Sequence, residues 1–304
     1  MNRREFVIAS SAALVATAFR EPLAAFQPAP PATAFETIRR DVGYFTGRGG
    51  TIGWMVNKEA VVAVDTQYAN TAQICVDGLK TRAAGRQIDI TFNTHHHGDH
   101  TGGNTIFKPA SKRMVAHARV VELMKQMVTA QPDVPAPAVA DRTFTDVWSE
   151  TLGGETLSAQ HYGPGHTGGD AVIHFQRANV VHMGDLLFVE LHPRVDRPSG
   201  ASIQNWMKTL DTLAKEMSAD TLFIAGHARP GQQVLVKREA LTQLRNYFDA
   251  VLTYVRKGIV EKKAQADVVS LAALPGFEQY QSSGQILTLA GTLTAAYEEL
   301  SAGK

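Results

Sequence analysis

Cysteine is almost missing from this 304-residue chain: Cys75 stands alone, so no intramolecular disulfide can form. Its position in a helical-looking stretch, 70–84, reads as a packed core thiol rather than a metal ligand. An excess of either charge is missing too. The 30 Lys and Arg residues stand against 29 Asp and Glu, a net of +1, and no basic arm marks the chain for nucleic acid. Long hydrophobic runs are also lacking, because the apolar stretch Phe6 to Ala18 is too short for an ordinary membrane span. With 44% hydrophobic and 19% charged residues, the composition is that of a soluble globular protein whose partner is a small molecule.

What the chain has instead is histidine in a pattern. His95-His96-His97-Gly98-Asp99-His100 packs four candidate ligands into six positions, as His-x-His-x-Asp-His. Residues two apart on an extended loop reach one cation, while the Asp and the following His, after a turn at Gly98, face a second. The spacing predicts two metals. A solvated His-rich loop would show the same run, but three later motifs set it aside: His166 in Gly163-Pro164-Gly165-His166-Thr167-Gly168-Gly169-Asp170, Asp185 in His182-Met183-Gly184-Asp185, and His227 in Ala225-Gly226-His227. Each follows an apolar run that reads as a strand, at 156–159, 179–182 and 221–225, so the ligand types collect at strand ends.

This ordered set, His-x-His-x-Asp-His, Gly-His-Thr, Gly-Asp and Gly-His, resembles the metallo-β-lactamase superfamily over most of the chain, from near Val42 to the helix after His227. The resemblance implies that His95, His97 and His166 bind a first metal, that Asp99, His100 and His227 bind a second, and that Asp185 bridges them. Two zinc ions fit this nitrogen and oxygen set best, although iron or manganese would be accepted. It also implies hydrolysis by a water shared between the cations and deprotonated near neutral pH, with Asp99 orienting it and no Ser or Cys nucleophile. No residue for protonating the leaving group stands out.

Zinc β-lactamases of the family generally carry Cys or Ser at or near the bridging position. Asp185 therefore favours a small ester, lactone, thioester or related bond as substrate over a dedicated role on β-lactams. The rival readings are a mononuclear iron dioxygenase acting on persulfide sulfur, a β-lactam-hydrolysing enzyme and a non-catalytic periplasmic metal binder. The other histidines lack ligand spacing. His96, between two ligands on an extended stretch, should point away from the metals, and His117, His161, His174, His182 and His192 read as structural.

The start of the chain reads as targeting rather than fold. Arg3-Arg4 and the apolar stretch resemble a twin-arginine export signal over 1–25, and a Pro/Ala-rich tether follows at 26–35. The expected location is periplasmic or secreted, with no stable membrane insertion after cleavage. Roughly 270–280 residues remain, enough for one domain with a large core. The hydrolase domain is expected at 36–235, with a C-terminal helical extension at 236–304. Strands are expected at 38–47, 51–57, 60–66 and 87–94, and a helix from about Asn70. Ser202 reads as the cap of a helix presenting Ile203, Trp206, Leu210 and Leu213. Two similar sheet-and-helix halves predict an α/β fold, a four-layer αββα sandwich, as the resemblance also implies. The stretch 232–301 reads as a helical cover or a homodimer surface. The irregular segments 131–141 and 191–200 are either plain connections or walls of the pocket.

Overall fold

A computed structural model describes residues 32–130 and 138–302. The export-signal reading of 1–25, and the part of segment 131–141 up to residue 137, lie outside the described residues. Residues 26–31 of the expected tether also lie outside the described residues. Strand β1 (Ala34–Arg39) belongs to the first sheet, with the Phe35 ring tilted against Phe45 at a centroid distance of 4.7 Å. The single strand expected over 38–47 is a hairpin of β1 and β2 (Val42–Thr46). Arg40 and Asp41 both take positive φ, 46° and 63°, as a two-residue turn between right-twisted strands requires. The lack of glycine there hid the turn.

The first sheet continues through β3 (Ile52–Val56), β4 (Val61–Val64), β5 (Ile90–Asn93), β6 (Met114–His117) and β7 (Arg142–Phe144), in sequential order. β1 to β4 pair antiparallel, and β4 to β7 pair parallel. The parallel half is crossed by helices α1 (Ala69–Arg82), α2 (Gly98–Thr101), α3 (Asn104–Ala110) and α4 (Ala118–Ala130). The second sheet holds β8 (Val147–Leu152), β9 (Glu155–Gln160), β10 (Val172–Phe175), β11 (Val180–His182), β13 (Leu222–Ile224) and β15 (Leu235–Val236). A separate parallel pair joins β12 (Phe188–Val189) to β14 (His227–Ala228).

Strand periodicity divides the core into three layers. In β4, Val62 and Val64 point between the sheets towards Leu157, Ile173 and Phe175, while Val61 and Ala63 point outwards to Ala72, Cys75 and Leu79 of α1. With both faces covered, the strand reads as a continuous apolar run rather than an alternating one. In the second sheet Val180 joins the inner core. Val181 and Phe223 share a core with α5 (Ile203–Glu216), α6 (Glu239–Val260), α7 (Gln265–Val269) and α8 (Leu289–Ser301). The result is the four-layer αββα sandwich.

Ser202 caps α5 as expected, accepting the Asn205 amide at 3.2 Å, and Ile203, Trp206, Leu210 and Leu213 are fully buried. The C-terminal helices are part of this packing, since Leu241, Leu244, Tyr247 and Val251 lie in the same core. Glu299 of α8 adds a second cap: its carboxylate accepts from the Ile203 amide at 2.8 Å and from the Gln204 amide at 3.2 Å. Among the described residues no helix is long and apolar enough to cross a membrane.

Candidate metal centre

Every ligand type singled out in the sequence sits just past a strand. β5 ends at Asn93, and the extended residues after it carry His95 and His97 on alternate positions. Gly98 opens one turn of helix rather than a loose turn, with the His100 and Thr101 amides donating to the His97 carbonyl at 3.0 Å each. Asp99 and His100 ride on that turn. His166 is held by a loop wound around buried Asp170, which accepts from Gly165 N at 3.1 Å, Thr167 N at 2.8 Å and Thr167 Oγ1 at 2.6 Å. Burial pushes the Asp170 carboxyl up to about 7, against these hydrogen bonds. Asp185 lies in a 3₁₀ turn after β11, and His227 opens β14. The backbone is tight here: a Cβ at Gly226 would fall 2.1 Å from Asp185 Oδ1.

These seven residues converge. Asp185 Oδ2 lies 3.9 Å from His95 Nε2 and 3.4 Å from His166 Nε2. Its other oxygen, Oδ1, lies 2.9 Å from His100 Nε2 and 3.4 Å from His227 Nε2. His97 Nδ1 is 2.8 Å from His166 Nε2, and Asp99 Oδ2 is 3.0 Å from His227 Nε2. The carboxylate of Asp185 therefore divides its oxygens between two donor groups. One is His95, His97 and His166; the other is Asp99, His100 and His227.

The hydrogen bonds made on the far side of each ring test whether cations fit. His97 Nε2 meets Asp196 Oδ2 at 2.7 Å, His100 Nδ1 meets Asp65 Oδ2 at 2.7 Å, and His166 Nδ1 meets the Arg194 carbonyl at 2.7 Å. Those oxygens only accept, so each of these ring nitrogens carries a proton, and whenever the ring is neutral its opposite nitrogen presents a lone pair inwards. Thr94 Oγ1 donates to Asp65 Oδ2 at 2.8 Å, which leaves it to accept from His95 Nδ1 at 3.1 Å. Lone pairs therefore face each other across the 2.8 Å between His97 and His166. His95 Nε2 is buried without a hydrogen-bond partner. Such an arrangement needs positive charge at its centre, which a metal cation held by these nitrogen and oxygen donors would supply.

Without a cation, protons on His100 and His227 supply part of that charge. Burial opposes a charge on His100 and His227, yet the Asp185 carboxylate with Asp99 raises both, His227 to about 9 and His100 well above its ordinary value. Asp185 is buried, but the surrounding imidazoles, His227 first, hold it well below the usual carboxylate range. Burial and neighbouring imidazoles lower His95, and burial lowers His166 to about 3, leaving their nitrogens free for a cation.

Sequence reasoning missed the residues behind the ligands. Asp65, Thr94 and Asp196 are buried and hold the rings, buried Asp170 holds the loop that carries His166, and none has ligand spacing. The one available signal was the segment 191–200, which holds Asp196 and whose Pro198 and Ser199 line the cleft above the ligands. Its reading as a pocket wall is the one the structure supports. His96 turns away from the seven-residue cluster towards Ser199 Oγ, 3.3 Å from its Nε2, and also lies 3.8 Å from Asp196. His192 pairs with the Tyr247 hydroxyl at 2.8 Å, His182 is held by the Thr51 carbonyl, and His117 stacks on His161. None of these four joins the seven-residue cluster, and neither does His174. Cys75 is buried against α1's neighbours, and burial pushes its thiol far up.

Comparison with known proteins agrees with this geometry. The metallo-β-lactamase superfamily profile matches residues 45–227, more than half the chain. The metallo-β-lactamase IND-1 of Chryseobacterium indologenes is 25% identical over 201 residues, covering 65% of this chain and 80% of that protein. A hydroxyacylglutathione hydrolase of Methylococcus capsulatus is 27% identical over 168 residues, covering 55% and 57%. Among solved structures, a sec-alkylsulfatase from Pseudomonas sp. superposes with a TM-score of 0.64 at 15% identity, over 88% of this chain and 50% of that one. The metallo-β-lactamase IND-7 gives 0.58 at 22% identity, over 70% and 98%. With the motifs in order, the ligand types gathered at one rim of an αββα sandwich and the family profile spanning them, the chain belongs to the metallo-β-lactamase superfamily.

Proposed function

We propose that this metal-dependent hydrolase works as an exported dinuclear zinc enzyme that cleaves a small ester, lactone or thioester. The observation that carries the reading is the division of Asp185 Oδ1 and Oδ2 between two complete donor groups. His95, His97 and His166 would hold one cation, Asp99, His100 and His227 the other, and Asp185 both. When bound, the pair supplies Lewis acidity and lowers the pKa of a water shared between them. Asp65 and Asp196 keep His100 and His97 in the ligating tautomer. Asp99, which lines the cleft and is 26% exposed, would orient the attacking water by accepting its hydrogen bond. In the reaction the water oxygen joins the acyl carbon, the bond from that carbon to the leaving oxygen or sulfur breaks, and the proton passes to the leaving group.

A mononuclear iron dioxygenase would use only one donor group, and the intact second group argues for two cations. Hydrolysis of β-lactams is the second reading, favoured by similarity to IND-1 over most of that protein's length. Elemental analysis of protein purified without added metal, with a panel of lactone, thioester, phosphodiester and β-lactam substrates, decides among them. Two zinc ions per chain with ester, lactone or thioester turnover is expected; one iron and no hydrolysis overturns the proposal. Arg3→Lys with Arg4→Lys is expected to keep the protein in the cytoplasm with its activity intact. Its appearance in the periplasm would refute the twin-arginine route.

A further inference from the structure

The cleft over the ligands measures about 570 Å³, a size that admits a small organic molecule rather than a polymer. Its floor is polar, made by His97, Asp99, His166, Asp185 and His227. Its rim is mixed: Arg194, Ser283 and Gln285 share it with Tyr68, Met127 and Ile286, whose relative exposures are 40%, 46% and 59%. Among the described residues five large apolar side chains are at least 40% exposed, and three of them border this one opening. Single exposed apolar residues are ordinary on a soluble surface, but a convergence at the mouth of a site is not scatter.

The three come from distant parts of the chain and each is firmly presented. Tyr68 precedes α1, and the guanidinium of Arg48 lies 5.2 Å from its ring centre. Met127 continues the face of α4 that buries Val120 and Met124, at the spacing that keeps side chains on one stripe of a helix. Ile286 projects from a closed turn in which Ser283 and Leu287 exchange backbone hydrogen bonds of 2.9 and 3.3 Å. That turn is anchored in two ways. Gln281 bonds to Glu190 and His192, and Leu287 packs on the core beneath. The C-terminal extension thereby supplies one wall of the mouth.

Resting on the hydrolase reading above, we infer that Tyr68, Met127 and Ile286 form an apolar collar that selects substrates carrying an aliphatic acyl or alkyl chain. The scissile polar group descends to the ligands while the chain lies across the collar. Each methylene moved from water onto such a surface strengthens binding by up to about fourfold, until the collar is covered.

The test is a series of p-nitrophenyl esters, acetyl to octanoyl, on the zinc-loaded full chain, paired with calorimetric binding of acetate and octanoate. A rise in kcat/KM of about two- to fourfold per methylene is expected over the first few carbons. Met127→Ser with Ile286→Ser should reduce the octanoyl-to-acetyl ratio about tenfold. Val260→Ser, an exposed residue away from the cleft, should leave that ratio unchanged. A flat series, or a preference that survives the double variant, overturns the collar. If no p-nitrophenyl ester is cleaved, the ester reading fails and calorimetry judges the collar by itself: tighter binding of octanoate, lost in the double variant, sustains it, and equal binding of the two acids refutes it.

Discussion

Asp65→Asn replaces one oxygen by an amide nitrogen, and the structure dictates what this does. The Asp65 carboxylate is fully buried and meets only donors: Thr94 N at 2.8 Å on Oδ1, and Thr94 Oγ1 at 2.8 Å with His100 Nδ1 at 2.7 Å on Oδ2. Asparagine has one acceptor oxygen and one donating NH₂. If its oxygen faces His100, the NH₂ is pressed against the Thr94 amide and a buried N–H is orphaned. If its oxygen faces the Thr94 amide, the NH₂ faces His100 Nδ1. The imidazole must then move its proton to Nε2, the atom 2.9 Å from Asp185 Oδ1 on which a cation would sit. Either orientation costs about 1–3 kcal/mol of metal-free stability. Affinity at the Asp99, His100 and His227 group falls by about 10- to 100-fold. Competition against a chromophoric chelator measures both zinc affinities, and urea unfolding of the metal-free protein measures stability. Two affinities within about twofold of wild type would refute the tautomer argument.

His97→Ala removes an inward lone pair and the partner of Asp196, so metal analysis should show loss of about one zinc and activity should fall at least about 100-fold. Cys75→Ser buries a hydroxyl at an apolar position, costing about 1–3 kcal/mol in denaturant while metal content and turnover stay near wild type. Burial first, and then its neighbour His161, lower His117 to about 4 from an ordinary 6.5, so the fold favours its neutral form. That contribution is complete above pH 6.5 and disappears as pH falls through 4; thermal melts should show a shallower acid loss in His117→Phe. Glu299→Ala strips the second cap from α5 and should cost about 1–2 kcal/mol, read as a lower midpoint in urea with both metals retained.

The ligand types were legible because they are local. His95, His97, Asp99 and His100 fall within six residues, and the other three stand beside glycines at the ends of apolar runs. Helix α5 was legible for the same reason: its cap and buried stripe are properties of about a dozen consecutive residues. Turn chemistry was less so, since a positive-φ pair at Arg40 and Asp41 carries no glycine to announce it, and the strand expected over 38–47 became a hairpin.

Only the tertiary structure decided which way the rings face. His97 is oriented by Asp196, 99 positions later, and His100 by Asp65, 35 positions earlier. A carboxylate acting through one hydrogen bond leaves no periodicity or spacing behind. The collar is likewise tertiary, for Tyr68, Met127 and Ile286 are far apart in the chain and come to line one cleft only in the fold. Sequence by itself determined the chemistry available, through residue types and their short-range spacing. Folding decided its geometry, because tautomer, lone-pair direction and the shape of the cleft depend on contacts between segments far apart in the chain.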